Sequence, residues 1–118
     1  MLTTEQVASC GVVPVVVLDD AAQALPTAKA LMAGGINVME ITFRTAAAKA
    51  SIAAVAAQMP EMIVGAGTVV NTRQLEEAAQ AGAQFIVCPG SDKELIRAAQ
   101  AKGLPIVPGV VTPSEIMM

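Results

Sequence analysis

An acid, a hydroxyl and a guanidinium alternate along the second apolar segment of this chain, and they are its clearest candidates for chemistry. Glu40 and Thr42 lie within the mostly apolar segment 36–43, and Arg44 follows it directly. Because a strand sends alternate side chains to opposite faces, these three side chains share one face. A carboxylate in a dry site can transfer protons when its pKa is raised, and an arginine fork binds a carboxylate or phosphate. The segment therefore predicts a site for a small anionic substrate.

Two structural explanations of the same residues stay open. Glu40 and Arg44 can form a buried ion pair that serves only structure, although such pairs are weak stabilisers because both ions lose hydration. Arg44 can also point outward into solvent and take no part in a site.

Small residues precede Thr68 at the end of the third apolar segment. Gly65, Ala66 and Gly67 carry little or no side chain, so a ligand can approach the backbone there and meet Thr68. A tight turn from strand to loop is the structural alternative. Val70 occupies the position of the third glycine in a dinucleotide-binding fingerprint. The sequence therefore predicts no nicotinamide or flavin cofactor.

The elements that position these residues form a repeat of strand and helix. Apolar, β-branched segments predict strands, and capping residues with terminal glycines mark the helices between them. The predicted strands span residues 12–18, 36–43, 62–68, 84–88 and 104–107. The predicted helices begin at 3–6, after Asp19–Asp20, after Thr45, after Asn71, at a capping box over 91–94 and after Thr112. Pro26 predicts a kink in the second helix or a later start of it.

Strands that alternate with helices imply a parallel sheet with right-handed crossovers, in a single domain over residues 1–118. An open doubly wound sheet is complete with five strands, whereas a (β/α)8 barrel takes about 250 residues. The polar residues favour the barrel, because they fall at the carboxyl end of one strand after another, where barrel active sites are built. These positions are Glu40 with Arg44, Gly67–Thr68, Pro89–Gly90 and Pro108–Gly109. The two proline–glycine pairs more often only end a strand.

The composition excludes several classes of function. The net charge is −3, and Trp and Tyr are absent, which argues against a nucleic-acid partner. The chain has no His and two cysteines, Cys10 and Cys88, so neither a metal site nor a Ser-His or Cys-His nucleophile is expected. No apolar run reaches the ~20 residues that span a membrane, and no secretory signal is visible. We therefore expect a cytoplasmic protein whose cysteines are small buried side chains, with a disulfide as the alternative.

Taken in order, the segments of the chain resemble one enzyme family. The resemblance is carried by VVPVV (12–16), AGGI (33–36), EITFRT (40–45), IVGAGTV (63–69), AGAQF (81–85), CPG (88–90), IVPGV (106–110) and TPSE (112–115). Together they are similar to the 2-keto-3-deoxy-6-phosphogluconate (KDPG) and 4-hydroxy-2-oxoglutarate (KHG) aldolases, over about residues 5–118. The resemblance implies an α/β fold of parallel (β/α) repeats, an incomplete (β/α)8 TIM barrel with strands one to five of eight.

The same resemblance implies the chemistry. The family consists of class I aldolases, usually homotrimers, which split a 2-keto-4-hydroxy acid substrate into pyruvate and an aldehyde without a cofactor. By motif, Glu40 is similar to the family's proton-shuttling acid/base. Arg44 and Thr68 resemble the groups that hold the pyruvate carboxylate, and Pro89 resembles a residue that lines the same pocket. Cys88 stands where the family often has Ser.

One part of the implied site is absent from these residues. The family attacks its keto substrate with a lysine on strand six, whereas this chain ends at Met118 and no lysine is predicted at a strand end. We therefore expect an aldolase that is active only with further strands present. A catalytically inactive half-barrel, serving as an assembly module or surviving as a remnant, is one alternative. An open-sheet protein that binds a small carboxylate through Arg44 and Thr68 is another. An unclosed barrel exposes apolar surface and strand edges, which predicts self-association.

Overall fold

The computed structural model describes residues 2–118, and its helices and strands alternate along the chain. The helices are α1 (Thr4–Ala8), α2 (Ala24–Ala33), α3 (Ala48–Gln58), α4 (Thr72–Ala81), α5 (Lys93–Ala101) and α6 (Pro113–Met117), with a 3-10 turn (Ala21–Gln23) before α2. The strands are β1 (Val15–Val16), β2 (Val38–Thr42), β3 (Ile63–Gly67), β4 (Ile86–Cys88) and β5 (Ile106–Pro108). This order confirms the predicted βα repeat.

The sheet settles the choice between the two architectures. Within residues 2–118, five parallel strands form one sheet in the order β1-β2-β3-β4-β5. A doubly wound sheet reverses its strand order at a switch point, and this sheet has no such reversal. Right-handed crossovers that always advance in one direction place the helices on the same face of the sheet. The sheet is therefore a barrel wall, and the open doubly wound alternative is wrong.

The main hydrophobic core lies between the sheet and its helices. Met39 and Ile41 of β2 pack in the same buried cluster as Ile52 of α3. Because side chains alternate along a strand, Glu40 and Thr42 point to the opposite side of the sheet. The core thus fixes which way the candidate site residues face.

We call the side of the sheet that is opposite the core the inner face. By strand register it carries Val15 on β1, Val38, Glu40 and Thr42 on β2, Gly65 and Gly67 on β3, Phe85 and Val87 around β4, and Val107 on β5. Near the amino ends of the strands Val38 and Phe85 are buried on this face, although a cavity of about 210 Å³ lies between Phe85 and α1. Its edges are open, because Val15 is 59% and Val107 49% exposed.

The first strand is much shorter than predicted. Sequence alone gives a strand over 12–18, whereas only Val15–Val16 pair with β2, opposite Glu40 and Ile41. β1 is an edge strand with β2 as its one partner in residues 2–118, so the residues of 12–18 that do not pair with β2 pair with no other strand. Val12 and Val17 are accordingly exposed.

Two predicted helix caps are wrong, because their side chains bond elsewhere. Asp92 caps α5, with its carboxylate accepting from the Glu94 and Leu95 amides at 2.8 and 3.1 Å. Ser91, the predicted cap, instead donates from its hydroxyl to the Gly109 carbonyl at 2.9 Å. Thr45 donates to the Leu18 carbonyl, and α3 starts only at Ala48 without a side-chain cap.

The start of α2 follows the later of the two predicted possibilities. Asp20 caps the 3-10 turn by accepting from the Ala22 amide at 2.9 Å, and α2 proper begins at Ala24. Pro26 is thereby in the first turn, where its missing N–H leaves no helical hydrogen bond unmade.

Both cysteines are free thiols, so the disulfide alternative is wrong. Cys88 is buried and Cys10 only partly buried. Burial raises the pKa of the Cys88 thiol to about 11, and the Asp92 carboxylate adds to the effect. Over residues 2–118, no helix has the length and apolar character needed to cross a membrane.

Candidate active site

Glu40 is a buried acid at the middle of the inner face. It is 7% exposed and pairs in register with Val15 on one side and Gly65 on the other. Neither of these two neighbours carries a polar side chain, so the acid has no charged or hydrogen-bonding partner directly across from it on β1 or β3. A carboxyl group in such surroundings is a functional-site candidate.

Room for the Glu40 carboxyl comes from Gly67. A Cβ atom placed on Gly67 would clash with Glu40 Oε2, would lie 2.9 Å from Glu40 Cδ, and would lie 3.4 Å from Thr42 Cγ2. The carboxyl therefore fills the space that any other residue at position 67 would need for its side chain. This glycine is what lets the acid lie flat against β3 and point toward the carboxyl end of the sheet.

Burial raises the pKa of the Glu40 carboxyl above its ordinary value, while the positive charge of Arg44 opposes the change. Desolvation disfavours the ionised form, and a nearby cation favours it. The two effects act on one group, and burial is the larger. Glu40 is thereby shifted toward the pKa range in which a carboxyl exchanges protons near neutrality.

Arg44 lies in the turn after β2 and is exposed. It is close enough to act on the charge of Glu40, but the ion pairs found within residues 2–118 are Arg73–Glu77 and Lys102–Glu76. The buried structural ion pair between Glu40 and Arg44 is therefore not formed. The exposed guanidinium is bound to no carboxylate within residues 2–118.

Thr68 directly follows β3 in a strained backbone conformation. Its φ is +55°, a left-handed value that β-branched residues rarely adopt. The backbone is held on both sides of it, since the Phe43 amide donates to the Gly67 carbonyl at 2.8 Å and the Val69 amide to the Val87 carbonyl at 3.2 Å. Strain of this kind persists where surrounding structure imposes it, and it clusters at functional sites. The structure thus places Thr68 next to Gly67, at the strand end nearest the Glu40 carboxyl.

Pro89 lies on the same edge of the sheet but one strand further along. It is exposed after β4, and a cavity of about 240 Å³ beside it is lined by Val69, Val70, Pro89, Gly90, Ser91, Asp92 and Leu95. Glu40, Arg44 and Thr68 do not line that cavity. Glu40, Arg44, Thr68 and Pro89 thus lie on or just after β2, β3 and β4, and Arg44 is near enough to Glu40 to affect its pKa.

The four lysines of the chain lie away from this site. Lys29, Lys49 and Lys93 are on α2, α3 and α5, and Lys102 follows α5. All four are exposed, and Lys102 Nζ pairs with Glu76 at 2.6 Å. Because all four lie on or directly after helices, none is placed on the inner face with Glu40.

Two features of the site were missed by reasoning from sequence. One is the fit of Glu40 against Gly67, and the other is the Thr42 hydroxyl, which is buried without a hydrogen-bond partner in residues 2–118. The available signal was the spacing of Gly65 and Gly67, which repeats the two-residue period of Glu40 and Thr42. This spacing places the glycines beside Glu40 and Thr42 only in one register of β2 against β3, and that register cannot be derived from the sequence.

Several known proteins that are similar to this chain in sequence and structure are aldolases of one family. A family model for KDPG and KHG aldolases matches residues 3–118. The KHG/KDPG aldolase of Escherichia coli K12 is 50% identical over 107 residues, covering 91% of this chain and 50% of that protein. A KDPG aldolase from Legionella pneumophila, solved with pyruvate captured at low pH as a covalent carbinolamine intermediate, superposes with a TM-score of 0.93 and 39% identity, covering 98% of this chain and 57% of that one.

A designed assembly also contains this fold. A cube-shaped cage made by fusing symmetric oligomeric domains matches with a TM-score of 0.81 and 30% identity, over 89% of this chain and 39% of that chain. The chain spans about half the length of the curated relatives that it matches. The family match over nearly all of its residues, together with the barrel-wall sheet, shows that the chain belongs to the KDPG and KHG aldolase family.

Proposed function

We propose that these residues supply the acid/base and the carboxylate-binding part of a class I aldolase pocket. The substrate class is a 2-keto-4-hydroxy acid, either a 2-keto-3-deoxy-6-phosphosugar acid or 4-hydroxy-2-oxoglutarate, and the products are pyruvate and an aldehyde. The observation that carries the proposal is the buried Glu40 carboxyl, seated against Gly67 with its pKa raised.

Glu40 is the proton-transfer group in this proposal. Cleavage of the C3–C4 bond requires loss of the proton from the 4-hydroxyl, and the resulting enamine of pyruvate must then gain a proton at C3. One carboxyl with a raised pKa can accept the first proton and return the second.

Arg44 and Thr68 bind the carboxylate of the keto acid, and Pro89 lines the pocket beside them. The guanidinium of Arg44 is unpaired by any carboxylate in residues 2–118, so its donors are free for a bidentate contact with the substrate. Thr68 offers a hydroxyl and a backbone amide at the same end of β3. An anion held there places its second carbon toward Glu40.

The Schiff-base lysine lies outside residues 1–118 in this proposal. Lys29, Lys49, Lys93 and Lys102 are exposed on or after helices, and none faces the inner side of the sheet as a strand residue. We infer that the amine comes from a further part of the same barrel, which is the part of the relatives that this chain does not match.

Borohydride trapping with labelled pyruvate tests the proposal. The protein is a chimera that joins residues 1–118 to the remaining length of the E. coli relative, whose aligned part is 50% identical. We expect a covalent adduct on the chimera and none on the 118-residue chain. Arg44→Ala should slow trapping at low pyruvate about 10- to 100-fold, whereas Arg97→Ala, on the exposed side of α5, should not. A folded chimera that forms no adduct contradicts the proposal.

A second proposal concerns the 118-residue chain by itself. Val15 and Val107 are apolar, on the inner face, and 59% and 49% exposed, and both belong to edge strands with an unpaired side. We infer that the chain covers this surface by homo-oligomerisation, as an assembly module; for the whole protein we propose a trimer. Size-exclusion chromatography should show a species larger than 12.0 kDa. A well-behaved monomer with a cooperative melt refutes the association.

A further inference from the structure

The Thr42 hydroxyl is buried within the candidate site and lacks a hydrogen-bond partner in residues 2–118. Thr42 is 1% exposed, and Oγ1 has no hydrogen-bond partner in residues 2–118. Most buried polar atoms are paired, and a buried hydroxyl without a partner lowers stability. Ser51 Oγ is in the same condition, but it lies on α3, on the side of the sheet that carries the helices. Among the buried hydroxyls of residues 2–118, one without a partner therefore lies inside the candidate site and one outside it.

Thr42 borders the same space as the Glu40 carboxyl. The two residues share the inner face of β2, and Thr42 pairs in register with Gly67. The point that a Cβ of Gly67 would occupy is 3.4 Å from Thr42 Cγ2 and 2.9 Å from Glu40 Cδ. Of the two groups on Thr42 Cβ, the methyl is therefore the nearer to this point, and the hydroxyl makes no hydrogen bond to Glu40.

A single side-chain rotation reverses that arrangement. The methyl and hydroxyl of threonine occupy two of the three staggered positions on Cβ, and they are similar in size. A change of χ1 to another rotamer brings Oγ1 to the side of Gly67, where the Glu40 carboxyl lies. The hydroxyl would then lose its unpaired state, and the carboxylate would gain a donor.

We propose that Thr42 is a positioning residue for Glu40, whose hydroxyl turns to donate a hydrogen bond to the ionised carboxylate and holds it in the space beside Gly67. The inference rests on the proposed role of Glu40 as the acid/base. A hydrogen bond to the charged form favours that form, so Thr42 acts together with Arg44 against the effect of burial. Thr42 and Arg44 together would favour the ionised carboxylate, which can accept a proton, and Thr42 would hold it on the inner face.

Few charged groups lie near Glu40, so a change in its titration midpoint can be assigned to the substituted residue. Arg44 is the charged group that acts on it. The positions that flank it on β1 and β3 are Val15 and Gly65, which carry no charge. The loop after β1 carries Asp19 and Asp20, which are both exposed.

Carbon-13 NMR titration of the Glu40 side-chain carboxyl in the 118-residue chain tests the inference, with the resonance assigned by its loss in Glu40→Gln. Thr42→Val keeps the shape and removes the hydroxyl, so it should move the titration midpoint of Glu40 upward by about one pH unit. Thr42→Ser restores a hydroxyl and should return the midpoint toward that of the parent. Ser51→Ala removes the other unpaired hydroxyl and should leave the midpoint unchanged.

An unchanged midpoint in Thr42→Val, or an equal change in Ser51→Ala, overturns the inference. If Thr42→Val does not fold, the three-bond couplings that report Thr42 χ1 in the parent protein decide instead. We expect the rotamer populations of Thr42 to change across the titration of Glu40, and a constant χ1 overturns the inference. Neither measurement needs a substrate or a lysine. A failed borohydride trapping would therefore contradict the aldolase proposal without affecting the hydrogen bond inferred between Thr42 and Glu40.

Discussion

Two glycines of β3 face the inner side of the sheet, and replacing each by alanine should have opposite consequences. The Cβ of Gly65→Ala would meet the ring of Phe85, with Cε1 and Cε2 both at 2.5 Å. Phe85 is 1% exposed, so the ring can move only within the protein, toward the cavity that separates it from α1. Overpacking of a buried core typically lowers the free energy of unfolding by about 1–3 kcal/mol, and Gly65→Ala should fall in that range.

Gly67→Ala meets a different kind of neighbour. Its Cβ would displace the Glu40 carboxyl, which is the far end of a flexible side chain next to an open face. The carboxyl can move toward solvent, and alanine restricts the unfolded chain more than glycine does. We therefore expect the free energy of unfolding to change by less than about 1 kcal/mol, while the acid leaves its position.

Urea denaturation and carboxyl NMR together separate the two outcomes. Gly65→Ala should lower the urea midpoint and leave the titration of Glu40 as in the parent. Gly67→Ala should keep the urea midpoint and lower the pKa of Glu40 toward its ordinary value, because the displaced carboxyl is less desolvated. Equal destabilisation by both substitutions, or an unchanged Glu40 titration in Gly67→Ala, would refute the reasoning that Gly67 seats the acid.

Three further substitutions test the charges and the strained turn. Burial raises the pKa of Glu40 in the folded state, so the protonated carboxyl stabilises the folded state at low pH, and this stabilisation is lost as pH rises through the folded pKa. Glu40→Gln should therefore raise the melting temperature at neutral pH relative to the parent, with the gain vanishing below about pH 4.5. Glu61→Gln, at an exposed acid outside the site, is the matched control in the same thermal melts. Arg44→Leu removes the charge that lowers the pKa of Glu40, so the NMR midpoint of Glu40 should rise, and a midpoint that falls or stays would contradict the assigned cause. Thr68→Gly relieves the positive φ and should raise the free energy of unfolding by about 0.5–1 kcal/mol, while Thr72→Gly, in the first turn of α4, should lower it by a few tenths; urea denaturation of both variants checks the signs.

Local signals in the sequence predicted most of the elements. Thr3 forms a capping box with Gln6, Asn71 caps α4 by accepting from the Gln74 amide, and Thr112 caps α6. In each case the partner lies three residues away, so the information is contained in a short stretch of chain. The same holds for Gly82, whose φ of +97° ends α4 as a terminal glycine should.

The wrong boundaries have distant causes. Thr45 does not cap α3, because its hydroxyl bonds to the Leu18 carbonyl, 27 residues earlier. Ser91 loses the cap of α5 to its neighbour Asp92, because the Ser91 hydroxyl bonds to Gly109 on the next strand connection. Both outcomes depend on which strands lie side by side, and a local pattern does not contain that information.

In the candidate site, too, the features set by local sequence were predicted and those set by strand pairing were not. Alternation along β2 was enough to place Glu40 and Thr42 on one face, and its apolar surroundings predicted burial. The seat for the carboxyl was not predictable, because it depends on the register that sets Gly67 beside Thr42. The roles of Glu40, Arg44, Thr68 and Pro89 in catalysis and binding stay predictions.

The most direct test of the account is the rate of retro-aldol cleavage by the chimera that carries residues 1–118. With a 2-keto-4-hydroxy acid as substrate, Glu40→Gln should lower kcat about 100- to 10,000-fold, the usual contribution of a general acid–base group. Glu61→Gln, an exposed acid outside the site, should leave kcat unchanged. If a folded chimera cleaves the substrate equally well with glutamine at position 40, the central claim that Glu40 transfers the proton is wrong.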